Sequence, residues 1–364
     1  MNMPKKGMVL CVDDEPHVLR ALQWLLQKEF EVHTAPSAAE GLKLVGRHDF
    51  DVVLSDQRMP GVTGVEFLHE VRKVSPRAMR ILLTGYSDLE AMIRSVNESE
   101  VFRFVTKPWD IRELPRLVAE AAQIARQAPS LTTDPTPESA ALPPPAIPPG
   151  PSESQGGRHG RVLLRPGESV LLIEDDGDVL DAVQDVLGPA VPVRCAADLA
   201  EAVKALDERP ASVVISDVRV GKVDVTRLIR LLKAKHPEVV TVVFSGVQDA
   251  KVVMDLINQG QVYRFIPKPF KPGFIRLVVD SAIRRHRLLA QVPEARGRFG
   301  VEAAGEEAAR SLERDVAQSA RSRMLAPSPA GAAVPAAAFG PGAGISEQGF
   351  MQRISGGFRR LFGA

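Results

Sequence analysis

Cysteine is scarce, at two residues in 364. That scarcity excludes a disulfide-stapled scaffold and a cysteine-rich metal centre. Cys11 and Cys195 both fall in apolar, strand-like runs, where buried reduced thiols are expected. An excess of charge of one sign is also missing. Lys plus Arg number 46 against 45 for Asp plus Glu, so the whole-chain field gives no push toward nucleic acid or an anionic membrane. No apolar run approaches a membrane span, and the stretch after Lys5 and Lys6 is broken at once by Asp13, unlike a secretory signal. The expectation is a soluble, cytoplasmic chain. No helix-turn-helix pattern follows either of the long α/β stretches, so no DNA-binding domain is expected. Past residue 291 the chain is too short of apolar residues to build a catalytic domain, and no enzyme is expected.

What is present is a repeat. Residues 1–128 alternate short β-rich runs (MVLCVD, FEVHT, VVLS, MRILLT, VFRFVT) with stretches whose apolar residues recur at helical spacing. Residues 165–291 do the same with SVLLIE, VPVRC, SVVIS, VVTVVFS and VYRFI. Five strands with helices between them predict, in each half, a doubly wound parallel sheet covered on both faces. Between the halves, 129–164 is rich in Pro, Ser and Gly and reads as a semi-extended linker.

Four chemistry-bearing positions recur at one constant shift of 161: Asp13 and Glu174, Asp56 and Asp217, Thr84 and Ser245, Lys107 and Lys268. In a doubly wound sheet, reactive groups gather at the carboxyl ends of the strands where strand order reverses. Asp13 and Asp14 end the first strand, Asp56 the third and Thr84 the fourth, while Lys107 follows the fifth, so all converge on one crevice. Clustered carboxylates repel unless a hard cation sits among them, and oxygen-only donors suit magnesium better than zinc. Asp56 is then the candidate nucleophile for phosphoryl transfer, because a carboxylate can form a mixed anhydride. Lys107 would neutralise phosphoryl oxygens and Thr84 would donate a hydrogen bond to them. Gly85 leaves room for a phosphodonor.

The motifs VDDEP (Val12 to Pro16), SDQRMPGVTG (Ser55 to Gly64), LTGY (Leu83 to Tyr86) and FVTKPW (Phe104 to Trp109) resemble those of the receiver domain of two-component response regulators, over roughly the whole first module. The resemblance implies a flavodoxin-like (βα)5 fold and magnesium-dependent transfer from a histidine kinase to Asp56. It also implies metal ligation by Asp13, Asp14, Asp56 and the Arg58 carbonyl, and an output switch made of Thr84 and Phe104. In the second module Glu174, Asp175, Asp217, Arg219, Ser245, Phe265 and Lys268 take the corresponding places. There Met59, Pro60, Gly61 and Gly64 become Val220, Gly221, Lys222 and Val225, so the turn supporting Asp217 changes.

Taken singly, these residues have plainer readings. A lone Asp at a strand end is usually a turn or cap residue; it is the joint repeat that sets this constellation apart. Phe104 and Phe265 are expected half-buried. His17, His33, His48 and His69 lack metal-ligand spacing. The run Arg284, Arg285, His286, Arg287 reads as a solvated helix end. In 292–344, residues 306–324 read as a lone surface helix with a seam of Ala309, Leu312 and Val316, followed by a second low-complexity linker. The remaining segment, 345–364, places Phe350, Ile354, Phe358, Leu361 and Phe362 on one helical face, suited to a partner groove or a membrane surface. The tail is expected to be largely disordered. Together these features favour a phosphorylation-dependent adaptor that recruits a downstream protein. The alternative is a constitutive scaffold in which one or both modules are not phosphorylated.

Overall fold

Strands covered on both faces read as near-continuous apolar runs, and the central strands of this chain follow that pattern. The computed structural model describes residues 6–85, 93, 96–97, 99–127, 162–188, 191–221, 223–245, 250–296, 306–325 and 356–362. The first module holds β1 (Gly7–Val12), β2 (Phe30–Ala35), β3 (Val52–Asp56), β4 (Met79–Thr84) and β5 (Arg103–Thr106), all parallel, in the order β2-β1-β3-β4-β5. Val9, Cys11, Val52, Leu54, Ile81 and Leu83 turn to one face, against Leu22, Leu26, Val118 and Ala121. The alternate residues Leu10, Val12, Val53 and Leu82 turn to the other, against Phe67, Leu68 and Val71. This is the period of two that a strand imposes.

The second module repeats the design with β6 (Val170–Ile173), β7 (Val193–Ala196), β8 (Val213–Asp217), β11 (Val240–Ser245) and β12 (Arg264–Pro267), ordered β7-β6-β8-β11-β12. One addition departs from the first module. β9 (Arg219–Val220) and β10 (Val223–Asp224) form a small antiparallel hairpin directly after β8, turning at Gly221, whose φ is 63°.

The two modules share one apolar cluster, which contains Val96, Val101 and Phe104 from the first and Val253, Ile257, Val262 and Phe265 from the second. The helix Glu306–Leu325 adds Ala309, Leu312, Val316 and Ala320 to that cluster. It lies against the helices Leu199–Glu208 and Thr226–Lys235, where Arg227 pairs with Asp315 at 2.6 Å. The seam read from the sequence is therefore covered by the second module. Residues 356–362 are helical, with Phe358 and Phe362 buried. Arg360 Nε donates to Asp207 at 2.8 Å. Phe350 and Ile354 lie outside the described residues. No helix among the described residues is long and apolar enough to cross a membrane.

Three sequence expectations are corrected. Cys195 is exposed, because β7 is an edge strand, whereas Cys11 in central β1 is buried; burial pushes the Cys11 thiol up to about 12. Phe104 and Phe265 are fully rather than half buried, at 3% and 0% exposure. The run from Arg284 to Arg287 lies within the helix Pro272–Gln291 rather than at its solvated end, and each of its residues is at least partly buried. Arg285 is buried, His286 Nδ1 lies 2.9 Å from the Glu238 carbonyl, and Arg287 pairs with Glu168 at 2.7 Å.

Candidate functional site

In the first module the carboxyl ends of β1 and β3 sit side by side, since these strands pair from Val9↔Val52 to Val12↔Ser55. Asp13 and Asp56 follow and end these strands, and Lys107 reaches both. Its Nζ lies 2.7 Å from Asp13 Oδ2 and 2.5 Å from Asp56 Oδ1. Asp13 Oδ1 also accepts the Glu15 amide at 2.9 Å, and Asp56 Oδ2 accepts the Arg58 amide at 2.7 Å. The lysine is anchored through its backbone, whose N–H donates to the Thr84 carbonyl at 3.0 Å. Thr84 is buried, and its hydroxyl donates to the Gly85 carbonyl at 3.1 Å. A Cβ added to Gly85 would meet nothing within 4 Å.

The electrostatics follow from burial. Desolvation raises the Asp13 carboxyl above its ordinary range, with the Asp56 charge adding, although Lys107 and the Glu15 amide oppose it. Burial alone would lower the Lys107 ammonium; hydrogen bonds to Asp13 and Asp56 and their charges override it, and the net shift is upward. One ammonium thus faces two carboxylates, Asp13 and Asp56. Among the described residues no three His, Cys, Asp or Glu side chains are gathered for a metal on side chains alone. The residues expected to hold magnesium, Asp13, Asp14, Asp56 and the Arg58 carbonyl, offer only oxygen, the donor type a hard cation takes.

Gly64 shapes the approach to Asp56. An ideal Cβ there would lie 2.1 Å from the Asp56 carbonyl oxygen, so this helix start must be glycine. Thr63 caps the helix with Glu66 in a reciprocal capping box.

The second site keeps the lysine bridge and rebuilds the turn. Lys268 Nζ lies 2.7 Å from Glu174 Oε2 and 2.5 Å from Asp217 Oδ2. Val225 stands where Gly64 does, and its amide still reaches back across the loop to the Val218 carbonyl at 3.0 Å, while its side chain is buried in the same apolar cluster as Val220 of the β9–β10 hairpin. The hairpin also reaches the acids, since the Gly221 amide donates to Asp175 Oδ2 at 2.9 Å. Asp175 is thus engaged by the protein's own backbone. Ser245 ends β11 in register with Pro267; its side chain lies outside the described residues.

The model of the response regulator receiver domain matches this chain twice, over residues 9–119 and 170–280. The chain belongs to that family. One stretch of 105 residues, 29% of this chain, is 48% identical to the hydrogenase transcriptional regulatory protein HoxA of Cupriavidus necator and spans 22% of that protein. HoxA of Bradyrhizobium diazoefficiens is 38% identical over 124 residues, 34% of this chain and 26% of that one. The match therefore spans about a quarter of the length of these curated relatives. Among solved structures, the signal receiver domain of an HD domain-containing protein from Pseudomonas fluorescens Pf-5 is 31% identical, covering 35% of this chain and 93% of that one with a TM-score of 0.33.

Sequence reasoning missed two asparagines that join the receivers. Asn258 Oδ1 accepts the Phe104 amide at 2.8 Å and its Nδ2 donates to the Phe104 carbonyl at 2.9 Å. Asn97 makes the same pair of bonds with Phe265, both at 3.0 Å. The signal was available: 97 and 258 differ by the same 161 positions as the site residues. Around them, Gln261 donates to the Phe102 carbonyl at 3.2 Å and Arg264 to the Val96 carbonyl at 3.2 Å.

Proposed function

We propose that this response regulator is a phosphorylation-dependent protein-interaction adaptor, taking phosphoryl groups from a histidine kinase on Asp56 and, more slowly, on Asp217. The observation that carries the reading is the lysine bridge, Lys107 held within 2.7 Å of both Asp13 and Asp56 and repeated at Lys268. An Asp56 carboxylate oxygen attacks the phosphorus, the O–P bond forms, and the N–P bond of the phosphohistidine breaks with its electron pair leaving on the imidazole nitrogen. Lys107 balances the added phosphoryl charge, and the Thr84 hydroxyl turns from Gly85 to the new oxygens. Magnesium held by Asp13, Asp14, Asp56 and the Arg58 carbonyl, when bound, supplies further positive charge at those oxygens. In the second receiver Glu174, Asp175, Asp217 and the Arg219 carbonyl take these places, with Ser245 and Lys268 on the phosphoryl group. There the Gly221 amide competes for Asp175, which is why Asp217 is assigned the slower reaction.

Phe104 and Phe265 carry the response toward the surface that recruits a downstream protein. The test is exposure to acetyl phosphate and magnesium, read by intact-protein mass for wild type, Asp56→Ala and Asp217→Ala. The expected result is an early adduct that Asp56→Ala removes and a later one that Asp217→Ala removes. Absence of any adduct, together with partner binding unaffected by Asp56→Ala, would establish the constitutive scaffold instead.

A further inference from the structure

Each receiver ends its sheet on an edge strand, β5 in one and β12 in the other. An edge strand presents backbone donors and acceptors that need partners. Here the partner for Phe104 is the side chain of Asn258 and the partner for Phe265 is that of Asn97. A primary amide carries a donor and an acceptor side by side, so it can substitute for a neighbouring strand at one residue. Rotating either amide by half a turn would set oxygen against carbonyl and NH2 against N–H, so both orientations are fixed by the partners themselves. The arrangement is isologous within one chain: each receiver gives an asparagine and accepts one.

The clamped residue is well placed to matter. Phe104 lies on β5, whose register with β4 runs from Ile81↔Arg103 to Thr84↔Thr106. The next residue is Lys107, tied by its amide to Thr84 and by its Nζ to Asp13 and Asp56. β5 is thus held on one side by its own sheet and on the other by the neighbouring receiver, three residues from the lysine that meets the phosphoacceptor.

We propose that Asn258 and Asn97 are cross-domain positioning residues: Asn258 sets β5 and Lys107 for phosphorylation at Asp56, and Asn97 sets β12 and Lys268 for phosphorylation at Asp217. The proposal rests on the phosphoacceptor reading given above. It makes each receiver's reactivity depend on a residue of the other, so the two sites are coupled through four backbone hydrogen bonds.

The test uses the full-length chain with acetyl phosphate and magnesium, following each aspartyl phosphate by peptide-resolved mass spectrometry. Asn258→Ala is expected to slow modification of Asp56 by about fivefold, in the range usual for connected sites, and to affect Asp217 less. Asn97→Ala is expected to give the reverse pattern. A local defect would instead fall on the receiver carrying the substitution, and that result, or equal loss at both sites, overturns the proposal. Where the alanine variant is unstable, Asn258→Asp keeps the shape and the acceptor but sets a second oxygen against the Phe104 carbonyl, and should slow Asp56 in the same direction. Backbone hydrogen exchange without any phosphodonor separates the two layers. Faster exchange of the Phe104 amide in Asn258→Ala supports the clamp, and unchanged exchange overturns it. Failure of the wild type to accept a phosphoryl group at either aspartate defeats the functional reading.

Discussion

At the residue scale, the two receivers form a natural comparison, because the lysine bridge is kept while one glycine is not. Gly64 is held against the Asp56 carbonyl so closely that a Cβ would lie 2.1 Å from the oxygen and 2.8 Å from Leu82 Cδ1. Neither backbone nor core can yield that much without moving the phosphoacceptor. Gly64→Ala is expected to destabilise the first receiver by about 2 kcal/mol or more through overpacking, and to slow phosphorylation of Asp56, read by urea denaturation and adduct formation on the same variant. At the equivalent position Val225 is buried, so Val225→Gly should cost about 1.5–3 kcal/mol through lost burial, leaving the Lys268 bridge intact. Unimpaired stability and Asp56 modification in Gly64→Ala would show that the missing Cβ does not set the geometry. The site residues were legible in the sequence because each follows or ends a strand and recurs at one spacing. The engagement of Asp175 by the Gly221 amide was not legible, because it depends on how a changed turn folds back in space.

At the scale of elements, strands were readable because a sheet covered on both faces favours near-continuous apolar runs. What hydropathy does not encode is which strand lies at an edge, and Cys195 was misread for that reason. The basic run from Arg284 to Arg287 was misread for a related one: its guanidinium groups meet acids and carbonyls supplied by distant segments, such as Glu168. The helix Thr226–Lys235 carries the sharpest case. Lys233 is fully buried at its last turn, donating to the carbonyls of Pro237 at 2.7 Å and Val239 at 3.2 Å. Burial, aided by the Arg285 charge and opposed by Glu238, pulls the ammonium down from 10.5 to about 7. The sign of the stability effect follows from linkage. Below pH 7 both folded and unfolded chains hold the proton and the full penalty is present. Between about 7 and 10.5 the folded chain has lost a proton that the unfolded chain keeps, so stability rises with pH. Lys233→Met should remove this rise with pH; at pH 7 it trades the penalty of a buried ammonium for two carbonyls that lose this donor. Urea midpoints at pH 7 and pH 9.5 would check it; a slope unchanged by the substitution would mean that the two carbonyls keep the ammonium charged.

At the scale of the whole molecule, the chain folds back on itself more than its composition implies. The repeat announced two receivers, but the linker gave no sign that they would share one apolar cluster, since the joining groups are two asparagines among many polar residues. The tail was read as an amphipathic segment seeking a groove or a membrane, and within residues 356–362 the apolar face is occupied by the chain's own second receiver. Phe358 and Phe362 are buried, with ring centroids 4.9 Å apart. Gly357 passes so near Asp207 that a Cβ would come within 3.0 Å of its carboxylate. The Leu361 carbonyl lies 3.3 Å from His236 Nε2. Two forces hold this contact, and their sizes differ. The Arg360 guanidinium that meets Asp207 is largely exposed, and ion pairs with an exposed partner contribute little, whereas truncating a buried Phe typically costs about 3–5 kcal/mol. Phe358→Ala should therefore release the last helix, seen as faster limited proteolysis and hydrogen exchange over 356–362 with both receivers intact, while Arg360→Ala should leave it docked. Release by Arg360→Ala alone would show that charge rather than apolar burial governs the contact, and the docked helix would then be sensitive to salt. With Phe358→Ala, any groove or vesicle that binds the freed segment must do so with one aromatic fewer, so binding in trans is best sought with Gly357→Leu, which clashes with Asp207 yet keeps the apolar face. Capture of anionic vesicles by that variant and not by wild type would identify the covered face as a membrane-binding surface. Capture by neither would leave the second receiver as the natural seat of this helix.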